Sequence, residues 1–111
     1  MSYWVVPLTR KTKLTYRQNE AIANEIIEKV CSYYNISNIE IRGRSRFREC
    51  VLPRHMAMYI IRNKLPLKLK AIAELFGRDH TTAIHGIKNI SNEVRYNEDV
   101  RQDLENLINI L

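Results

Sequence analysis

Apolar residues recur at helical spacing from about Tyr16 to Tyr34, at Ala21, Ile22, Ile26, Ile27, Val30, Tyr33 and Tyr34, which predicts a long amphipathic helix. NISN interrupts that pattern, and the stretch that follows, IEIRGRSRFREC, has no helical stripe and reads as extended. Pro53 suits the first turn of the next helix, where its missing N–H is not needed. Met56, Ala57, Ile60 and Ile61 form that helix's inward stripe. Pro66 separates a short helix, KLKAIAELF, with Leu69, Ile72, Ala73 and Phe76 facing inward. Gly77 can supply the left-handed residue that ends it. Asp79 is then placed to cap a further helix running to about Val94, because a carboxylate there accepts the orphan N–H groups. RYNED turns the chain, and Val100, Leu104, Leu107, Ile108 and Leu111 mark a last amphipathic helix. Alternation suggesting strands is weak. The pattern predicts an all-α fold, a small domain of about five to six helices.

Residues 1–15, apolar in YWVVPL and then basic in TRKTK, are expected to form an arm, with residues 16–111 holding the domain. At 111 residues the chain is long enough for one modest domain. No apolar run approaches the ~18 residues of a membrane span. The N-terminus has no basic start, long apolar centre or small-residue cleavage site, so it is not read as a signal peptide and a cytoplasmic location is expected. Cys31 and Cys50 belong to no CxxC pair and read as small apolar fillers in a reduced protein.

The net charge of +6 is unevenly placed. Residues 42–88 hold eleven Lys/Arg against three Asp/Glu, residues 1–41 five against four, and residues 89–111 two against five. The excess therefore sits in one central block, the pattern of a surface that meets a polyanion.

Two short helices joined by a tight glycine turn, the first preceded by another helix, fit a helix-turn-helix. At about 100° per residue, Ala83, Ile84, Ile87, Ile90 and Val94 fall on one side of the second helix. Thr81, His85, Lys88, Asn89 and Asn92 fall opposite, offering donors, acceptors and a cation suited to a DNA major groove. Asp79 reads either as a cap alone or as an acceptor for a cytosine amino group. His85 reads as base-facing or as an ordinary surface histidine, and His80 falls near the apolar side. A spacing of five does not put His80 and His85 on one face, which argues against a shared metal, and nothing positions Thr81 or Thr82 as a nucleophile. No enzymatic activity, metal or other cofactor is expected.

RGRSRFR places Arg42, Arg44, Arg46 and Arg48 at every second position. In an extended segment they would point the same way, about 6.6 Å apart, lining phosphates or threading one arginine into a narrow minor groove. Arg54, Arg62, Lys64, Lys68 and Lys70 extend the positive surface towards the helix-turn-helix.

RSRFRECVLPRHMAMYIIR and FGRDHTTAIH together resemble the C-terminal DNA-binding domain (domain IV) of the bacterial replication initiator DnaA, over roughly Ala21 to Leu111. The resemblance implies an all-helical domain that reads double-stranded initiator boxes. By position it implies that Arg46 enters the minor groove with Arg48 beside it. It implies base reading by Asp79, His80, Thr81 and Thr82 within the Arg78–Thr82 motif, and phosphate contact by Arg62. Arg54 follows the family's proline. The chain departs from the family in several respects, among them Leu52 in place of a basic residue. Only Gly77 precedes Arg78 where the family usually has two glycines, so the recognition helix is expected to be re-aimed. His55 stands where the family often has Gln, and Lys68 replaces a Ser-type cap. The initiator's GxxxxGK[ST] is absent from these residues, so no nucleotide cofactor is expected and the chain reads as a free-standing module.

The expected function is sequence-specific binding of double-stranded DNA in replication or transcription control. The expected contacts are Arg44, Arg46, Arg48, Arg54, His55, Arg62, Lys68, Arg78, Asp79, His80, Thr81, Thr82, His85 and Lys88. A second copy or a replication protein is the further expected partner, and no membrane is. The alternative is an adaptor or inhibitor acting on the initiation machinery, docking through the acidic last helix and the YWVVPL arm.

Overall fold

Thr15 starts the first helix of the computed structural model, which describes residues 15–111. Its hydroxyl accepts from the Gln18 N–H at 3.1 Å and the Gln18 side chain accepts from the Thr15 N–H at 2.8 Å, a reciprocal capping box. Apart from Thr15, the arm expected over residues 1–15 lies outside the described residues.

Six helices follow among the described residues: α1 (Tyr16–Tyr34), α2 (Asn38–Arg42), α3 (Arg48–Lys64), α4 (Leu69–Leu75), α5 (His80–Tyr96) and α6 (Glu98–Ile110). The all-α expectation and the helix-turn-helix hold, with α4 and α5 as its two helices. α3 lies at the centre and packs on α1, α2, α4 and α5. Ile26, Ile27 and Val30 of α1, Met56, Ile60 and Ile61 of α3, Ile72 of α4 and Ile90 of α5 are buried in one core. Fully burying such a side chain contributes roughly 1.5–3 kcal/mol each. Of the stripe predicted for α1, Ala21 is exposed and Ala23 takes the buried place.

Three boundaries differ from expectation. Residues 38–42, read as extended, form α2, because Ser37 and Glu40 make a second capping box. Pro53 does not start α3 but sits in its sixth position, since the helix begins at Arg48. There it supplies no N–H to the Glu49 carbonyl. Between α5 and α6 the expected turn shrinks to Asn97, whose side-chain oxygen caps α6 by accepting from Asp99 and Val100. The acidic α6 folds back on α1. Asp103 accepts from the hydroxyls of Tyr33 and Tyr34 at 2.8 and 2.9 Å. Burial, then the Asp103 carboxylate, raises the Tyr34 hydroxyl well above its ordinary range. Cys31 and Cys50 are both buried and unpaired.

Candidate nucleic-acid interface

The turn between α4 and α5 is set by backbone chemistry. Gly77 adopts φ 65°, the left-handed region that favours glycine. Its N–H donates to the Glu74 carbonyl at 3.1 Å and the Arg78 N–H to the Ala73 carbonyl at 2.9 Å, satisfying the end of α4 in a Schellman arrangement. Two residues later Asp79 caps α5. Its Oδ1 accepts from the Thr82 N–H at 3.0 Å and the Thr82 hydroxyl at 3.1 Å. These bonds, the backbone one first, hold the Asp79 carboxyl below its ordinary range, so it is ionised near neutral pH. Both fall on Oδ1. The Thr82 hydroxyl hydrogen is engaged by Asp79, whereas Thr81 is exposed.

Along α5 the expected polar face is real. Thr81, His85, Lys88, Asn89 and Asn92 are all exposed, and Ala83, Gly86 and Ile90 are buried opposite. Two assignments on this helix need correction. His80, expected near the apolar side, is exposed in the first turn of α5. Ile84, assigned to the core stripe, is 38% exposed. At about 100° per residue it lies between Ile87 and Lys88, at the edge of the outer face. Ile84 is thus a surface residue the sequence reading missed, although its angular distance from Ile90 already signalled it.

Gly86 brings α5 close to α3. A Cβ built there would lie 2.6 Å from Cδ2 of His55, so only glycine fits against that ring. His55 is half-buried in this contact. Burial, reinforced by the charge of Arg54, lowers its pKa, so the ring is neutral near neutral pH.

The arginine comb is broken, because Arg42 ends α2 and Arg48 begins α3. Arg42 Nε donates to Asn38 at 2.6 Å and Nη2 to Asn24 at 2.9 Å, while Nη1 donates to the Leu75 carbonyl. Arg48 pairs with Glu93 of α5 at 2.8 Å. Arg44 and Arg46 alone remain in the loop between α2 and α3, and both are exposed.

Arg54, expected to face a ligand, is buried at 4% exposure. Its Nε donates to the Ile41 carbonyl at 2.7 Å, Nη1 to Ser45 at 3.2 Å and Nη2 to Glu40 at 3.3 Å. It lies in the second turn of α3, pointing inward to satisfy the open carbonyl end of α2 and the loop after it. Arg78 continues this fastening. Half-buried, it donates to the carbonyls of Phe76 at 2.8 Å, Arg42 at 3.4 Å and Gly43. Its pKa is lowered by burial and then by the charge of Arg44. The loop that carries Arg44 and Arg46 is therefore tied directly to the start of α5.

Arg62 is exposed, with one donation to the Leu67 carbonyl at 3.2 Å. Lys68 is exposed at the N-cap of α4, where it supplies no side-chain cap bond. Among the described residues, no three His, Cys, Asp or Glu side chains cluster in a way that could hold a metal ion, and no helix is long and apolar enough to cross a membrane.

A capped second helix with a polar outer face, adjoining a cationic loop, defines a helix-turn-helix domain of the nucleic-acid-binding kind. The model of the bacterial dnaA protein helix-turn-helix matches residues 23–90, and the chain belongs to that family. It is 39% identical over 97 residues to the chromosomal replication initiator protein DnaA of Caldanaerobacter subterraneus subsp. tengcongensis, covering 87% of this chain and 22% of that protein. It is 41% identical over 80 residues to the DnaA of Thermomicrobium roseum, covering 71% of this chain and 17% of that protein. With the chromosomal replication initiator protein DnaA 1 of Chlamydia pneumoniae it shares 45% over 73 residues, 66% of this chain and 16% of that protein. The chain spans about a fifth of the length of these relatives.

Proposed function

We propose that the chain binds double-stranded DNA sequence-specifically, with α5 in the major groove and the Arg44–Arg46 loop in the adjacent minor groove. The observation that supports this is the link from Arg78 to the carbonyls of Arg42 and Gly43, which joins the exposed arginine loop to the capped start of α5. One rigid body then presents both elements to neighbouring grooves. Thr81 offers a hydroxyl, Asp79 a carboxylate acceptor for a cytosine amino group, and Ile84 an apolar contact for a thymine methyl. His80 and Thr82 lie in the first turn of α5, and His85 and Lys88 lie further along its outer face. Arg62 and Lys68 serve phosphates, supplying affinity and salt dependence rather than sequence preference.

Because its relatives are named as chromosomal replication initiators, the sites proposed are initiator-type boxes, and the role proposed is control of replication or transcription there. Selection from a random duplex library, followed by sequencing, tests this. An enriched motif whose preference relaxes at one position in Thr81→Ala supports the reading. No enrichment by the folded parent protein refutes it.

A further inference from the structure

We propose that Phe47 is an apolar wedge that enters the minor groove beside Arg46 and partly unstacks one base step, bending the duplex. The inference rests on the DNA-binding reading above and adds a residue and a deformation to it.

Phe47 is 72% exposed, so its ring contributes little to the core. Its backbone is nonetheless fixed. The Phe47 carbonyl accepts from the N–H groups of Cys50 and Val51, both at 2.9 Å, and its own N–H donates to the Ser45 hydroxyl at 3.2 Å. Ser45 is held in turn by Arg54. Phe47 is also the N-cap of α3, and it makes no side-chain cap bond. Serine, threonine, aspartate or asparagine would serve that position better. A phenyl group is thus a poor choice here both for capping and for exposure, and a ligand that covers the ring would account for it.

The surroundings select the ligand. Arg46 precedes the ring, Arg48 follows it, and Arg44 lies close enough to Arg78 to lower its pKa. An apolar protein groove would have to desolvate these guanidinium groups to reach the ring. A duplex supplies phosphates to the cations and stacked base faces to the phenyl together. Phenylalanine is among the side chains that wedge between steps from the minor groove, and the ring projects from the loop proposed to enter it. Pyrimidine–purine steps unstack most readily, so the proposal also predicts a TA or CA/TG step opposite the loop.

The test uses the duplex selected by the parent protein, with dyes at both ends and 2-aminopurine at the step facing the loop. The parent should shorten the end-to-end distance and raise the 2-aminopurine fluorescence. Phe47→Ser should lose both signals and bind about tenfold more weakly or worse, while Phe47→Leu keeps much of each. Because serine can cap α3, Phe47→Ser is expected to be at least as stable as the parent, so its loss of bending is not a folding failure. If Phe47→Ser binds and bends the duplex like the parent, the wedge is wrong and the DNA-binding reading stands. The same holds if Phe47→Ser leaves DNA binding intact and abolishes a protein association instead. If the folded parent binds no duplex, the functional reading itself falls.

Discussion

Replacing Arg54 by alanine separates an arginine that builds the surface from one that touches a ligand. The side chain is 4% exposed and satisfies three backbone carbonyls, at Glu40, Ile41 and Ser45. A hydrogen bond to a charged group contributes about 1.5–3 kcal/mol net. The three share one guanidinium, so they do not add fully. The deletion also leaves the end of α2 and the start of the loop uncapped around a cavity. The expected loss is about 3–5 kcal/mol, the range for breaking a buried charged group's contacts. That is a large part of the ~5–15 kcal/mol that holds a domain of this kind folded.

Urea titration followed by helical circular dichroism measures this loss. Arg54→Lys should recover less than half of it, because one ammonium cannot fork to three carbonyls. DNA binding supplies the second readout. At a temperature where Arg54→Lys is folded, the slope of log affinity against log salt should match the parent, since no phosphate contact is removed. Removal of a phosphate-contacting cation lowers that slope by about one. A variant within about 1 kcal/mol of the parent in urea, or one whose salt slope drops by one, refutes the fastening role.

The remaining predictions concern α5 and its support. Gly86→Ala should destabilise by about 1–3 kcal/mol through overpacking on His55, yet in a His55→Ala background the same change should stabilise by up to ~1 kcal/mol through helix propensity. A double-mutant cycle in urea without that change of sign would overturn the contact argument. The lowered pKa of His55 means the unfolded chain binds its proton first, so stability should fall as pH drops below the unfolded value of 6.5 towards the folded one. His55→Gln should remove that part of the pH dependence of the urea midpoint. Thr81→Ala should cost about 1–3 kcal/mol against one preferred base and little elsewhere, as measured by competition with single-base variants of the selected duplex. Arg62→Ala should weaken all duplexes alike and lower the salt slope by about one, and unchanged salt dependence would remove it from the surface.

The helices were legible where the apolar period was strong and the ends were punctuated. α1, α4 and the start of α5 fall where Gly77, Asp79 and the buried stripes put them. α2 was missed because five residues are too few to show a period, yet Ser37 and Glu40 stood in the sequence as a capping box that should have signalled it. Pro53 misled because proline is favoured in a first turn but is also tolerated deeper in a helix when burial compensates. The candidate surface was legible by residue type and not by direction. Alternation at Arg42, Arg44, Arg46 and Arg48 suggested one edge, but helix ends at Arg42 and Arg48 rotate those two side chains onto Leu75 and Glu93. Nothing local distinguishes Arg54, which turns inward, from Arg46, which does not. That difference comes from the carbonyls left open where α2 ends.

This division of the arginines changes what the positive charge means. Of the eleven Lys/Arg in residues 42–88, Arg42, Arg54 and Arg78 donate to backbone carbonyls and Arg48 pairs with Glu93, so these four are engaged within the fold. At ~0.9 per phosphate, the salt slope should then fall short of the roughly 10 that this block's raw count suggests. The four engaged residues still act on binding, because they hold the loop and the start of α5 in fixed relation before DNA arrives. Ordering a loop on binding costs free energy for each immobilised side chain, and here that ordering belongs to folding instead. Burial first, and then the charge of a neighbouring arginine, lowers the pKa values of Arg54 and Arg78, so part of the shift is repulsion between cations in the folded state. A polyanion relieves that repulsion, so DNA should stabilise this domain more strongly at low salt than its contact area alone would suggest.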